Sequence, residues 1–172
     1  MQTIKDYLAP YIISNLLFVS CIWAAWKRPK WARTFLAVFF LWASLTNLSY
    51  ANRHPEVYLD YGKLTFLPLY RDFINGFFSQ HAAALVSLIA SFQMAIFVGL
   101  LLNKIWIRIS CIGGMIFGVA IAPLGVGSAF PSTIFMAISF LILFFDKDQE
   151  FIWKKTSAKL RHQMKANFRQ QE

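Results

Sequence analysis

The chain alternates long uncharged runs with short charged segments, a pattern that predicts membrane-spanning helices. Residues 82–102 carry no charged side chain, and neither do residues 109–122. The hydrocarbon core of a bilayer is about 30 Å thick and needs about 20 apolar residues per helix. The two runs therefore predict a helical hairpin that turns at Asn103-Lys104.

The same pattern predicts an all-α membrane protein with five transmembrane helices in one domain, 1–145. A secretory signal peptide is the alternative for the first run. Its n-region, however, holds only Lys5 and Asp6, and the apolar run continues well past any cleavage site. We expect spans at about 8–26, 32–51, 82–102, 105–122 and 130–145.

Small side chains recur at every fourth position of the hairpin. This spacing places them on one face of each helix, and small residues let helix backbones approach closely in lipid. We therefore expect the two helices to pack against each other along these faces. The positions are Ala83, Ser87, Ser91, Ala95 and Gly99, then Ser110, Gly114, Gly118 and Ala122.

Charge both excludes a class of protein and predicts an orientation. Only 15% of the residues are charged, against about 25% in soluble domains, so a soluble protein is excluded. With five spans, 13 of the 17 Lys and Arg lie on one side, and that side carries the net charge of +9. The positive-inside rule makes it cytoplasmic, with the N-terminus outside and the C-terminus inside. This distribution indicates a bilayer rather than nucleic acid as the partner.

The C-terminal tail, residues 146–172, carries seven Lys and Arg. Trp153, Leu160, Met164 and Phe168 fall near one face of a helix, with basic residues elsewhere. This pattern is typical of a basic amphipathic helix on an anionic membrane surface. A solvated basic tail is the alternative.

Residues 52–81 do not span, and we call them the lid segment. Pro55 and Pro68 can each open a short helix, so we expect two interfacial helices across the outer ends of the spans. One hypothesis is that they cover a pocket, with ligand-binding side chains at Asn47, Tyr58, Tyr61, Tyr70, Arg71, Asp72 and Gln93. The alternative is structural: tyrosines anchor at the headgroup level, Arg71 and Asp72 form a surface pair, and Gln93 bonds a neighbouring helix.

No catalytic or metal-binding constellation is visible. The spans carry no ionisable Asp, Glu, Lys, Arg or His in their middles, which disfavours proton relays and ion pumps. His54 and His81 without nearby carboxylates or cysteines are a weak metal-ligand set. Cys21 and Cys111 have no CxxC partner, so we interpret them as small core residues.

The turn of the hairpin is flanked by a motif that stands out in the sequence. Gln93-Met-Ala-Ile-Phe-Val-Gly99-Leu-Leu-Leu102 is followed by Arg108 at the start of the next apolar helix. This motif resembles the central signature of the DoxX-like membrane proteins. The resemblance extends loosely over about residues 35–145. It implies a four-helix bundle from the second to fifth spans, with the first span as an addition, in the bacterial inner membrane. Gln93 replaces a frequent glutamate of that family, which argues against a proton-linked role.

Three functions stay open at this point. The first is a non-catalytic accessory subunit of a redox membrane system, with a membrane protein partner or a second copy of the chain. No cofactor is evident from the residues, and a quinone is implied only by the resemblance. The second is a binder or carrier of a small lipophilic molecule beneath the lid segment. The third is a membrane enzyme on a lipid-soluble substrate, with Arg71, Asp72 or a histidine as participant.

Overall fold

A computed structural model describes residues 2–147 of the protein, with side chains from Leu8 onward. The described chain is helical and contains no strand. Seven α-helices are joined by two 3₁₀ segments, Pro55–Asp60 and Ala122–Ser128, and by a π-helical turn at Ile74–Phe78. The α-helices are α1 (Gln2–Lys27), α2 (Pro29–Arg53), α3 (Tyr61–Leu64), α4 (Pro68–Phe73), α5 (Ser79–Leu101), α6 (Ile105–Ile121) and α7 (Ser132–Phe144).

Within residues 2–147, four helical segments are long and apolar enough to cross a membrane, so the fold fits a multi-pass membrane protein. α7, the fifth expected span, is apolar but has only 13 residues. At 1.5 Å per residue it is about 20 Å long, short of a full bilayer core. The expected amphipathic tail lies outside the described residues from 148 onward. The four segments are Leu8–Lys27, Pro29–Arg53, Pro68–Leu101 and Ile105–Ser128.

The five long helices form a closed ring. α2 packs against α5, α5 against α6, α6 against α7, α7 against α1, and α1 against α2. The backbones of α2 and α7 come close at few points, and α1 lies between them. The four-helix bundle of the second to fifth spans, with the first span as an addition, stays a prediction.

The larger of two hydrophobic core clusters fills one half of the ring. We call this half the basic end, because the chain turns there at Lys27–Pro29 and Asn103–Lys104. The ring of Phe40 meets the rings of Phe117 and Phe140 edge-on at 5.7 and 5.5 Å, a favourable geometry for aromatic pairs. The opposite half, toward the lid segment, is the lid end. The core contains Phe18, Cys21, Leu36, Phe40, Leu100, Ile107, Cys111, Met136, Phe140 and Leu143.

The small residues of the two hairpin helices have different surroundings. The α6 positions Ser110, Gly114, Gly118 and Ala122 are buried. Gly114 lies against the Phe140 ring and Gly118 against Thr133, both on α7.

The α5 positions correct the expected packing of the hairpin. Only Gly99 is buried, against Ser110, and Ser87 is half-buried, whereas Ala83, Ser91 and Ala95 are exposed. The physical reason is that α5 buries a wider face one residue away, toward α2. That face contains Ala82, Val86, Ala90, Gln93, Ile96 and Leu100.

Candidate ligand cavity

A cavity of about 780 Å³ occupies the lid end of the helix ring. Its floor is the upper surface of the core, where Phe18, Phe39, Phe117 and Met136 line it. All five long helices contribute to its walls, and the lid segment contributes its roof. The larger core cluster packs the basic end. At the lid end a smaller cluster of Ala51, Ile74, Phe78, Ala82 and Val86 packs the lid segment against α2 and α5, and the cavity lies beside it.

The roof is built from two chain segments that bind each other. The hydroxyl of Thr65 and the backbone N–H of Phe66 both donate to the carbonyl of Pro123, at 2.6 and 3.3 Å. Gly125 has φ +66, and a Cβ there would lie 2.8 Å from the carbonyl oxygen of Leu64. Glycine is therefore needed for this close approach. The lid segment and the Ala122–Ser128 segment thus form one cover.

The second half of the lid segment is continuous with a wall of the cavity. α4 passes through the π turn into α5, so the expected second lid helix is the first part of one long helical run. The Tyr70 hydroxyl donates to the carbonyl of Ala120 at 2.8 Å, which ties α4 to α6. Helical spacing turns Tyr70, Phe73 and Ile74 toward the cavity.

Three polar side chains form a hydrogen-bonded chain along one wall. The Tyr58 hydroxyl donates to Oδ1 of Asn47 at 2.7 Å, and Nδ2 of Asn47 donates to Oε1 of Gln93 at 2.8 Å. Gln93 is only 2% exposed. Nε2 of Gln93 has no acceptor among the described residues. The chain of bonds therefore ends in a free donor at the cavity wall.

Tyr58 keeps its proton over the whole physiological range. Partial burial, followed by the nearby Tyr61 and Tyr50 side chains, raises the pKa of Tyr58 to about 12. Because the hydroxyl donates to Asn47, its proton is part of the chain that orients Gln93. The cavity therefore has no ionised group at this position.

A second polar group lies at the first turn of α7. Ser132 and Thr133 line the cavity and are 2% and 4% exposed. The Thr133 Oγ1 is buried without a hydrogen-bond partner among the described residues. Sequence reasoning missed this pair. The signal was a Ser-Thr pair directly after Pro131, since a proline at a helix start leaves the next hydroxyls in the first turn.

The structure brings together five of the seven predicted ligand-binding residues. Asn47, Tyr58, Tyr61, Tyr70 and Gln93 line the cavity. Arg71 and Asp72 are exposed and lie outside the lining. The Arg71 guanidinium lies 3.5 Å from the carbonyl of Thr65 and helps to hold the lid segment. Arg71 and Asp72 lie outside the cavity because of helix geometry. When Tyr70 and Phe73 face the cavity, the two residues between them in the same helical turn face away from it.

The histidines lie apart from the cavity lining. His54 approaches the exposed Glu56 at 3.3 Å, and His81 stacks on Phe77 with ring centroids 4.5 Å apart. Within residues 8–147, no cluster of three or more His, Cys, Asp or Glu could hold a metal ion. Cys21 and Cys111 are free thiols buried in the core.

Comparison of the chain with family models, curated proteins and solved structures finds no match. The resemblance to the DoxX-like proteins therefore stays a prediction. What the protein does has to be argued from the cavity itself.

Replacing Asn47 should reveal the stability that the polar chain contributes. In Asn47→Leu, Oε1 of Gln93 loses its donor and the Tyr58 hydroxyl loses its acceptor. A buried polar group without a partner costs about 1–3 kcal/mol, and we expect a loss of that size in unfolding experiments in detergent. Asn52→Leu is the control on the same helix, because Asn52 is exposed and bonds only the carbonyl of Leu48. Equal losses of unfolding free energy in Asn47→Leu and Asn52→Leu would show that the hydrogen-bonded chain does not stabilise the fold.

Proposed function

We propose that the protein binds a small lipophilic molecule in the cavity beneath the lid segment, as a carrier or a binding protein. The observation that supports this most is the cavity itself. Its volume of about 780 Å³ falls within the roughly 300–1,000 Å³ of small-molecule sites, which are mostly apolar with a few placed polar groups. Aromatic and aliphatic side chains dominate this lining, and its polar side chains are amides and hydroxyls.

The outer surface of the lid segment supports entry from the bilayer. Leu69, Phe73 and Phe77 are all about half exposed or more, and they form the apolar face expected for an interfacial helix. Phe73 is both exposed and part of the cavity lining. A lipophilic molecule in the outer leaflet would therefore meet an apolar surface that leads directly to the cavity.

Native mass spectrometry of the protein in mild detergent tests the proposal. We expect a defined small molecule to remain bound and to be reduced in Gln93→Leu and Tyr70→Ala. Gln80→Leu is the control for the first variant, since Gln80 is exposed on the same helix. Bound species that simply follow the bulk lipid composition would contradict the proposal.

We further propose five spans, with the basic end in the cytoplasm. Two features support this topology. α7 packs beside α1 and α6 from the cavity to the basic end. It is shorter than the bilayer core, and we infer that the cavity and its roof occupy the membrane thickness that α7 does not cross. Exposed tryptophans also surround the basic end, as in an aromatic belt. They are Trp23, Trp26, Trp31 and Trp106.

Cysteine labelling should place the lid segment and the basic end in different compartments. With Cys21 and Cys111 changed to alanine, we expect Lys104→Cys and Lys147→Cys to react with an impermeant maleimide only from the cytoplasm. We expect Lys63→Cys to react only from outside. Labelling of Lys63→Cys and Lys147→Cys from the same side would show that α7 does not cross.

An accessory-subunit role is the second candidate, and one observation favours it. The small residues of α5 at Ala83, Ser91 and Ala95 face outward, and such residues allow a helix of another membrane protein to approach closely. Purification in mild detergent should then yield a stoichiometric partner that Ser91→Leu releases. A monodisperse single chain would count against this role, and the link to a quinone or redox system rests on the resemblance alone.

A further inference from the structure

We propose that the ligand of this cavity is an uncharged lipophile with an oxygen acceptor, such as a ketone, an ester or an ether. Its oxygen would accept hydrogen bonds from Gln93 or from the α7 hydroxyls. This inference rests on the proposed function and adds the chemical class of the ligand. It follows from the charge of the lining and from the direction of its hydrogen bonds.

The lining argues against a charged ligand. No Asp, Glu, Lys, Arg or His occurs among the described residues that line the cavity. The polar side chains of the lining carry hydroxyl, amide and indole groups rather than charged ones. An ion taken out of water without a partner costs several kcal/mol, so a carboxylate or an ammonium group would bind poorly there.

The hydrogen-bonded chain leaves a donor for the ligand. Oδ1 of Asn47 already accepts from Tyr58, and Oε1 of Gln93 already accepts from Asn47. An amide nitrogen carries two donor hydrogens and no acceptor. The free end of the chain, Nε2 of Gln93, can therefore be satisfied only by a ligand that presents an acceptor.

The first turn of α7 adds independent donors on a different wall of the same cavity. Thr133 is 4% exposed, and its buried hydroxyl oxygen has no partner among the described residues. Ser132, beside it, is 2% exposed and also lines the cavity. A helix start carries a partial positive charge. It therefore favours the negative end of a carbonyl or ether dipole near these hydroxyls.

Four probes with the same medium-length alkyl chain test the inference: a methyl ketone, the alkane, the carboxylate and the alkylammonium. Each is added to the protein in lipid nanodiscs, with its partition into protein-free nanodiscs measured in parallel. A ligand that binds only the folded protein raises the unfolding midpoint. We expect the ketone to bind at least tenfold more tightly than the other three.

Two variants report on the donors. Gln93→Leu should remove most of the preference for ketone over alkane, while Gln80→Leu keeps it. Thr133→Val removes a hydroxyl with almost no change of shape, and it should weaken ketone binding even if Gln93→Leu does not fold. All four probes binding equally would overturn the inference and leave the binding function standing. Tighter binding of the carboxylate or the ammonium would overturn it as well. A native molecule without an oxygen acceptor, found by mass spectrometry, would do the same.

Discussion

Gly118→Ala is expected to destabilise the protein by about 2 kcal/mol, although alanine is the better helix former. A Cβ at residue 118 would lie 2.7 Å from the backbone carbonyl oxygen of Thr133. Backbone cannot move aside as a flexible side chain can, so α6 and α7 would have to separate. Overpacking costs about 1–3 kcal/mol, while a helical glycine-to-alanine change gains only about 1 kcal/mol. Because the contact is with backbone, we expect the overpacking cost to be at or above the upper end of that range. This cost exceeds the gain in helix propensity from glycine to alanine.

Gly76→Ala is the matched control for this prediction. It makes the same change in the π turn at Ile74–Phe78, where a new Cβ meets nothing within 4 Å. Thermal unfolding in detergent should show wild-type stability or slightly better for this variant. Gly114→Ala should behave like Gly118→Ala, because its Cβ would enter the fully buried Phe140 ring. Equal unfolding midpoints for Gly118→Ala and Gly76→Ala would show that α6 and α7 are not closely packed.

Apolar run length was enough to locate the long helices. The expected span at 105–122 corresponds to Ile105–Ile121, and the expected span at 32–51 lies within Pro29–Arg53. Pro55 and Pro68 were expected to open short helices, and a 3₁₀ segment begins at Pro55 and α4 at Pro68. These features are local: they depend on the hydropathy and backbone preferences of consecutive residues, and a single sequence contains that information.

The choice of packing face could not be read in the same way. α5 carries two candidate faces, one of small residues and one with Gln93, Ile96 and Leu100. Both sets recur at the three- or four-residue spacing of a helix face, so spacing alone does not choose between them. What decides between them is the position of α2, which is a long-range property. The outward direction of Ala83 and Ala95 therefore required the structure.

Part of the candidate site was also predictable. Asn47 and Gln93 are amides in apolar helices, and an amide there needs a partner, so they stood out from the sequence. Ser132 and Thr133 did not, because hydroxyls are common in apolar helices and bond their own backbone. Arg71 and Asp72 were included for their charge, but the direction of one helical turn places them outside the cavity.

Filling the cavity from Ala43 should abolish ligand binding without unfolding the protein. Ala43 lies on α2, half-buried, and lines the cavity between Phe39 and Asn47. In Ala43→Phe the new ring enters space that the core does not fill, so no packed side chain has to move. We expect the molecule retained in native mass spectrometry to fall by at least tenfold, equivalent to about 1.4 kcal/mol of binding free energy.

Ala84→Phe makes the matching change on the outer surface of α5, where residue 84 is exposed. It should keep the bound molecule at the wild-type level, which separates cavity filling from a general effect of added aromatic surface. Unfolding midpoints of the two variants should be similar, because neither ring enters the core at the basic end. If Ala43→Phe folds and still retains the molecule at the wild-type level, the prediction that the ligand occupies the part of the cavity beside residue 43 is contradicted.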